Sequence, residues 1–324
     1  MKSKFFTILY LFFYSTNLFA DNLSIQAKNI SIDKDMETSI FKDEVTVKSD
    51  KKLIKSDYVK YNKKLGYLLI KDNILATDDK NNSIQASTAE YYQESKILKT
   101  SGKTKIITSD KYILEGSNIT IDNQNDLIRS KENSILTDLD GNTIFLENFE
   151  YQISENIFKS VGFVKIDDNK KNSLEFSQIY IDTKKNEIIG SDIKAFMNDE
   201  NFKISEKNKP RVFANSFNSN KEKSTFIKSI FTLCDYREND KCPPWSIQSS
   251  KMLHDSKKKT IYYDNAVIKV YDVPIFYIPR LSHPDPSVER RSGFLPPSIS
   301  DTKNLGESVS VPYFFDIAKN KNFT

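Results

Sequence analysis

The sequence predicts an all-β protein built of stacked strand repeats, and three observations carry that prediction. Apolar residues recur in register every thirty positions, each copy alternates apolar and polar residues with period two, and short polar turns separate the runs. With 38% hydrophobic and 28% charged residues the composition is that of an ordinary folded protein rather than a disordered chain. A formal net charge of +4 over 324 residues leaves no electrostatic footprint for nucleic acid.

The chain opens with Lys2 and Lys4, an apolar run from Phe5 to Phe13, and the small residue Ala20 directly before Asp21. This pattern is that of a secretory signal peptide over residues 1–20. The apolar run is shorter than the ~18 residues a membrane-spanning helix needs, and no longer run follows, so any crossing of a membrane is expected to use strands.

From residue 21 the repeat takes over. One column runs Ile54, Ile84, Leu114, Ile144 and Leu174, with Ile204 as a further copy. A second runs Val59, Ala89, Ile119, Phe149 and Ile179, a third Tyr61, Tyr91, Ile121, Tyr151 and Ile181, and a fourth Leu68, Leu98, Ile128, Phe158 and Ile188. Segments such as Val59-Lys60-Tyr61 and Ile179-Tyr180-Ile181 alternate as strands do, and turns such as 78–82 and 138–142 are rich in Asp, Asn and Lys. A unit of this size cannot bury its apolar face alone, so successive units must stack into an elongated β-structure with an apolar interior. In the plainest reading the columns are only the core of that stack.

After Glu206 the repeat loosens and the style changes. The string from Trp245-Ser246-Ile247 leads through His254-Asp255 and Asp264-Asn265-Ala266 to Val273-Pro274-Ile275-Phe276-Tyr277-Ile278-Pro279. It continues with Arg290-Arg291-Ser292-Gly293-Phe294-Leu295-Pro296 and Val311-Pro312-Tyr313-Phe314-Phe315-Asp316-Ile317-Ala318. This ordered string resembles the LptD (OstA-type) family of lipopolysaccharide-assembly proteins. The resemblance implies a periplasmic OstA-like β-jelly roll over residues 21–272, and over 273–324 the junction and first strands of a transmembrane β-barrel. About two barrel strands fit before Thr324, so the chain reads as the N-terminal portion of a longer protein.

The resemblance further implies an outer-membrane protein, with its N-terminal domain in the periplasm, that passes lipopolysaccharide from a periplasmic bridge protein to the barrel for release into the outer leaflet. A barrel-plugging lipoprotein (LptE-type) would be a second partner. Under that reading the columns at Ile54, Val59, Tyr61, Ile84, Ala89, Tyr91, Leu114, Ile119, Ile121, Ile144, Phe149, Tyr151, Leu174, Ile179 and Ile181 line a path for acyl chains. Pro279, Pro284, Pro296 and Pro297, which cannot donate to a ladder, are candidates for the weak seam of a lateral gate, or else shape the connection between domains.

Cys234 and Cys242 are the only cysteines, and an exported chain enters an oxidising compartment, so a disulfide is expected. Cys234 could pair with Cys242 or, as the resemblance implies, with a distant barrel residue. Arg290 and Arg291 could meet phosphates or form a solvated turn. Trp245 is expected to pack, and His254 and His283 to lie on the surface. No nucleophile–base pair, carboxylate pair, metal spacing or cofactor motif stands out, so neither enzyme activity nor a cofactor is expected. The rival readings are a secreted β-solenoid enzyme or adhesin, and a soluble bridge protein of the same transport pathway.

Overall fold

The computed structural model describes residues 23–33, 37–49, 52–79, 81–109, 111–169, 171–182, 184–197, 210–220, 222–233, 244–285, 288, 292–294, 298–302, 306–310, 312–318 and 321–324. Every regular element among them is a strand. The chain divides into two compact units, residues 1–169 with 178–186 and residues 170–177 with 187–324.

Unit 1 contains β1 (Ser24–Gln26), β2 (Asn29–Asp33), β3 (Thr38–Ser49), β4 (Lys52–Asn62), β5 (Tyr67–Asp78), β6 (Ser83–Tyr92), β7 (Ile97–Ile107), β8 (Ile113–Ser117), β9 (Thr120–Asp122), β10 (Leu127–Ser130), β11 (Ser134–Thr137), β12 (Thr143–Leu146), β13 (Phe149–Gln152) and β14 (Ile157–Asp167). Each pairs antiparallel with its neighbours, but the pairing breaks near the middle of every long strand, between Lys42 and Val45, Lys55 and Tyr58, Lys71 and Ile74, and Ala86 and Thr88. Further along, the break divides the ladder outright: β9, β10 and β13 pair in one row, while β8, β11 and β12 pair in another, and β14 borders both. The two halves of each strand thus build two walls.

The backbone shows why the strands bend there. Left-handed φ angles fall about thirty residues apart at Asp43 and Glu44, at Asp72 and Asn73, and at Gly102, and again sixty residues on at Gly162, where φ is 139°. Asp, Asn and Gly carry the smallest penalty in that region, so these corners form where the sequence permits them. A side chain at Gly162 would also collide with the Glu147 carboxylate, its Cβ lying 2.6 Å from Oε2.

The turns repeat as well. Asp78 and Asp138 each receive the amide of the residue four places on, at 2.8 and 2.7 Å, and the side-chain amide of the same Asn82 or Asn142. Those asparagines then accept from the next turn, the Ser109 and Asn169 amides reaching their Oδ1 at 2.7 and 2.8 Å. On the opposite lip the Gln93, Asn123 and Ile153 amides donate to the carbonyls of Gly66, Lys96 and Asp126. Turns on both lips are therefore hydrogen-bonded to turns of neighbouring repeats as well as within themselves.

β15 (Ser173–Asp182) gives its first half to unit 2 and its second half to unit 1. Unit 2 continues with β16 (Glu187–Phe196), β17 (Arg211–Ser219), β18 (Lys223–Thr232), β19 (Trp245–Asp255), β20 (Thr260–Val270) and β21 (Val273–Pro284), each pairing antiparallel with the next from β16 onward. Its interior is aromatic: Phe217 packs on Phe176 and Phe226, and Phe231 on Trp245, Tyr263 and His283. Short strands follow. β22 (Gly293–Phe294), β25 (Tyr313–Ala318) and β26 (Lys321–Phe323) pair in one group, and β23 (Ser298–Thr302) and β24 (Gly306–Ser310) form a separate hairpin. These pairings do not establish a barrel.

Candidate functional site: the apolar interior and its edges

The column Val59, Ala89, Ile119, Phe149 and Ile179 is between 0% and 4% exposed at every member. Tyr91, Ile121, Tyr151 and Ile181 of the next column are buried to the same degree, and Tyr61 is half-buried. The column starting at Ile54 is less sheltered: Ile84 and Ile144 are buried, while Ile54, Leu114 and Leu174 are half-buried. In the fourth column Leu68, Ile128 and Phe158 are buried and Leu98 and Ile188 half-buried. The thirty-residue register therefore marks side chains that face inward.

A further set of inward residues stands beside the four columns, and Ile106, Leu136 and Ile166 within it are again thirty apart. Ile74, Ile106, Leu136, Val164 and Ile166 line the second half of the return strands. They keep the parity of the inward residues in the first half of the same strands, as in Leu68, Ile70 and Ile74 on β5 or Phe158, Ser160, Val164 and Ile166 on β14, whereas on β4 the alternation slips from Ile54 and Ser56 to Val59 and Tyr61. At the start of unit 1, Val45, Val47 and Ile74 pack in one cluster with Val59, Leu68, Ile70, Ala89 and Tyr91, so the two walls touch along their inner faces. Burial holds the Tyr91 hydroxyl at a pKa of about 12, keeping it a neutral group among apolar neighbours.

The outer faces are polar at the matching positions. Lys105 pairs with Glu115, and Lys159 with Glu150, both at 2.9 Å. One side of each wall is thus dry and the other hydrated.

At the N-terminal edge the interior is uncovered. Among the described residues β1 and β2 pair only with β3. Ile30 lies opposite Phe41, itself opposite Val59, so Ile30 and Ile32 sit on the inner face, yet they are 55% and 68% exposed. In unit 2, β21 pairs over its length with β20. Phe276, opposite Ile268, is 51% exposed and Tyr277 61%. Among the described residues, apolar side chains are thus bare on strands that pair on one side.

The remaining predicted residues fall as follows. Pro279 and Pro284 stand on β21, which among the described residues pairs only with β20, so a missing amide is tolerated there. Pro296, Pro297, Arg290, Arg291, Cys234, Cys242, Ile204 and the signal sequence lie outside the described residues. Trp245 is buried against Phe231. The two histidines are not on the open surface: His254 pairs with Asp285, and His283 stacks on Tyr263 at 5.4 Å. Strand pairing sets His254, Ile261 and His283 side by side, which no local pattern reveals. Among the described residues no group of His, Cys, Asp and Glu could hold a metal ion.

No family model matches the chain. Curated relatives do: the LPS-assembly protein LptD of Burkholderia cenocepacia (strain HI2424) is 37% identical over 103 residues, which is 32% of this chain and 13% of that protein. LptD of Francisella tularensis subsp. novicida (strain U112) is 38% identical over 76 residues, 24% of this chain and 9% of the relative. The chain resembles the N-terminal portion of LptD. The matched stretch spans only about an eighth of the Burkholderia LptD, so the similarity speaks to that portion. Among solved structures, LptH, the LptA homologous periplasmic component of the lipopolysaccharide transport device of Pseudomonas aeruginosa, covers 52% of this chain and 80% of its own at 11% identity. The TM-score of that match is 0.15. The LptD relatives weigh against a secreted β-solenoid enzyme or adhesin.

Proposed function

We propose that this chain conducts lipopolysaccharide toward the outer membrane, as a periplasmic β-jelly roll that receives the lipid from a bridge protein and hands its acyl chains to a transmembrane barrel. It is a carrier and not an enzyme. The observation that carries the reading is the inward column at Val59, Ala89, Ile119, Phe149 and Ile179, apolar at every thirty-residue step and dry throughout. The LptD relatives give this interior its context.

The energetics explain why such an interior is needed. An acyl chain of a dozen or so methylenes costs on the order of 10 kcal/mol to expose to water, at ~0.8 kcal/mol each. Crossing an aqueous compartment unassisted is therefore negligible. A row of equivalent apolar contacts lets the lipid advance without a large change in free energy from one repeat to the next, while the sugars stay hydrated.

Because the walls touch, admitting a chain requires them to part. The corners at Asp72, Asn73, Gly102 and Gly162 are the natural spine for that motion, since they already interrupt the ladders between the walls. Entry would occur at β2, whose free edge and bare Ile30 and Ile32 suit strand addition by a bridge protein of similar fold. Beyond β21 the chain would enter the barrel, with Pro279, Pro284, Pro296 and Pro297 at or near a weak seam and an LptE-type lipoprotein inside. Cys234 would be oxidised in the exported protein.

Binding tests the reading. The mature chain should bind lipopolysaccharide and fail to bind the same molecule stripped of its acyl chains. Equal binding of both would mean that the sugars or phosphates are recognised instead, and the interior reading would fall.

A further inference from the structure

Both histidines of the chain meet at one point, the end of β21, where the strand is about to leave the sheet. The His254 ring nitrogen Nε2 contacts Asp285 Oδ2, reaching from β19 past the intervening β20. The Asp285 amide donates to the Lys259 carbonyl at 3.0 Å, and the Val288 amide donates to the Asp285 carbonyl at 2.9 Å. Asp285 is thus held by its side chain, its amide and its carbonyl at once.

A second anchor lies one step inward. Tyr263 is 1% exposed, and its hydroxyl lies 2.8 Å from His283 Nε2. Burial raises its pKa well above the ordinary phenol value, so the hydroxyl keeps its proton and can donate. The other ring nitrogen, Nδ1, lies 2.7 Å from the Pro284 carbonyl, which can only accept. Both contacts are satisfied by one neutral tautomer, with the proton on Nδ1. Phe231 closes the cluster, 5.5 Å from the His283 ring.

The strand that follows is seated against the same point. A Cβ added to Gly293 would lie 2.6 Å from Pro284 Cδ and 3.2 Å from its Cγ. Only glycine lets β22 approach the proline ring so closely.

We propose that His254, Asp285, Tyr263 and His283 form a clasp that fixes where and in which direction the chain leaves the sheet, and that Gly293 seats the following strand on Pro284. These are positioning residues. Each strand pair would survive without the clasp, since the β20–β21 ladder is complete up to Pro284 opposite Thr260. Without it, the backbone hydrogen bonds at residues 285 and 288 stand at a strand end, where hydrogen bonds fray readily. What the clasp serves, a fixed hand-over from the sheet to the next segment, rests on the transport reading; its existence does not.

Hydrogen exchange of the mature chain tests it with no lipid present, so a failure here leaves the transport reading standing, and a failure of lipopolysaccharide binding leaves the clasp standing. In His254→Ala and Asp285→Ala the amides of Asp285 and Val288 should exchange about tenfold faster, with the amides of Ile247 and Ile268 unchanged. His254→Gln, which keeps a donor, should restore slow exchange. Gly293→Ala should speed exchange at Phe294, and adding Pro284→Ala should reverse this by vacating the space. Unchanged rates at Asp285 and Val288 in the alanine variants would overturn the proposal. So would uniform acceleration across β19 and β20, or no rescue by glutamine.

Discussion

Unit 1 repeats one arrangement of burial every thirty residues, whereas unit 2 gathers its interior into aromatic clusters around Phe217 and Phe231. In unit 1 the columns through Val59 and Tyr61 repeat at every step, and Ser109 and Asn169 hydrogen-bond back to Asn82 and Asn142 of the preceding turns. Among the described residues of unit 2 the interior does not repeat in this way. Phe231 alone contacts Trp245, Tyr263 and His283. A repeat spreads its stability over nearest-neighbour interfaces, while a cluster concentrates it in a few side chains. The first suits a surface along which a ligand moves, and the second suits a fixed anchor.

The contrast predicts unequal sensitivity to deletion. Phe231→Ala should cost roughly 4 kcal/mol, the usual range for removing a buried aromatic ring, because three partners lose their contact together. The fluorescence of Trp245, the chain's only tryptophan, reports that transition during urea unfolding. Ile119→Ala, at 0% exposure in the repeat, should cost roughly 3 kcal/mol and show in hydrogen exchange of the neighbouring strands. If Ile119→Ala proved the more damaging, the contrast between spread and concentrated stability would fail.

A smaller effect belongs to the turn ladder. Asn142→Ala removes the amide contact to Asp138 and the acceptor for the Asn169 amide, and should cost about 1–2 kcal/mol in thermal unfolding. A loss near zero would show that the turns follow the walls and do not help hold them.

The smallest effect is electrostatic. Burial at the start of β4 lowers the Lys52 pKa to about 8, with Asp78 and Asp79 partly offsetting it. The folded chain therefore binds this proton more weakly than the unfolded chain, whose lysine titrates near ~10.4. Holding the charge is a penalty below pH 8 that is relieved as pH rises toward ~10, so stability gains over that window. Lys52→Met should be more stable than the parent by about 1 kcal/mol at pH 7, allowing for water reaching a half-buried group, and should lose the gain between pH 8 and ~10. A parent and variant with parallel pH profiles would contradict the assignment.

The strands and most of the interior could be read from residue order because alternation and the thirty-residue step are local signals. Val59, Ile119 and Ile179 needed only counting. The corners were harder. Asp72-Asn73 and Gly102 look like ordinary polar interruptions, and the register that holds Ile74 and Val164 carries Thr104 and Ser134 in the repeats between, so no unbroken apolar column marks it. The clasp could not be read at all, because His254 and His283 become neighbours only through the pairing of β19, β20 and β21. The length of β21 depends on the same long-range pairing. Its prolines suggest a connection, whereas the ladder to β20 makes Pro279 and Pro284 part of an edge strand.

The central claim is that acyl chains travel between the walls of the repeat. Photo-reactive residues placed singly at Val59, Ile119, Phe149 and Ile179, and at the outward-facing Lys60, Thr120 and Tyr180, test it in cells that carry the protein. The inward set should capture lipopolysaccharide at every repeat and the outward set should not. Crosslinks confined to Lys60, Thr120 and Tyr180, with none from the inward column, would show that the interior is only a core.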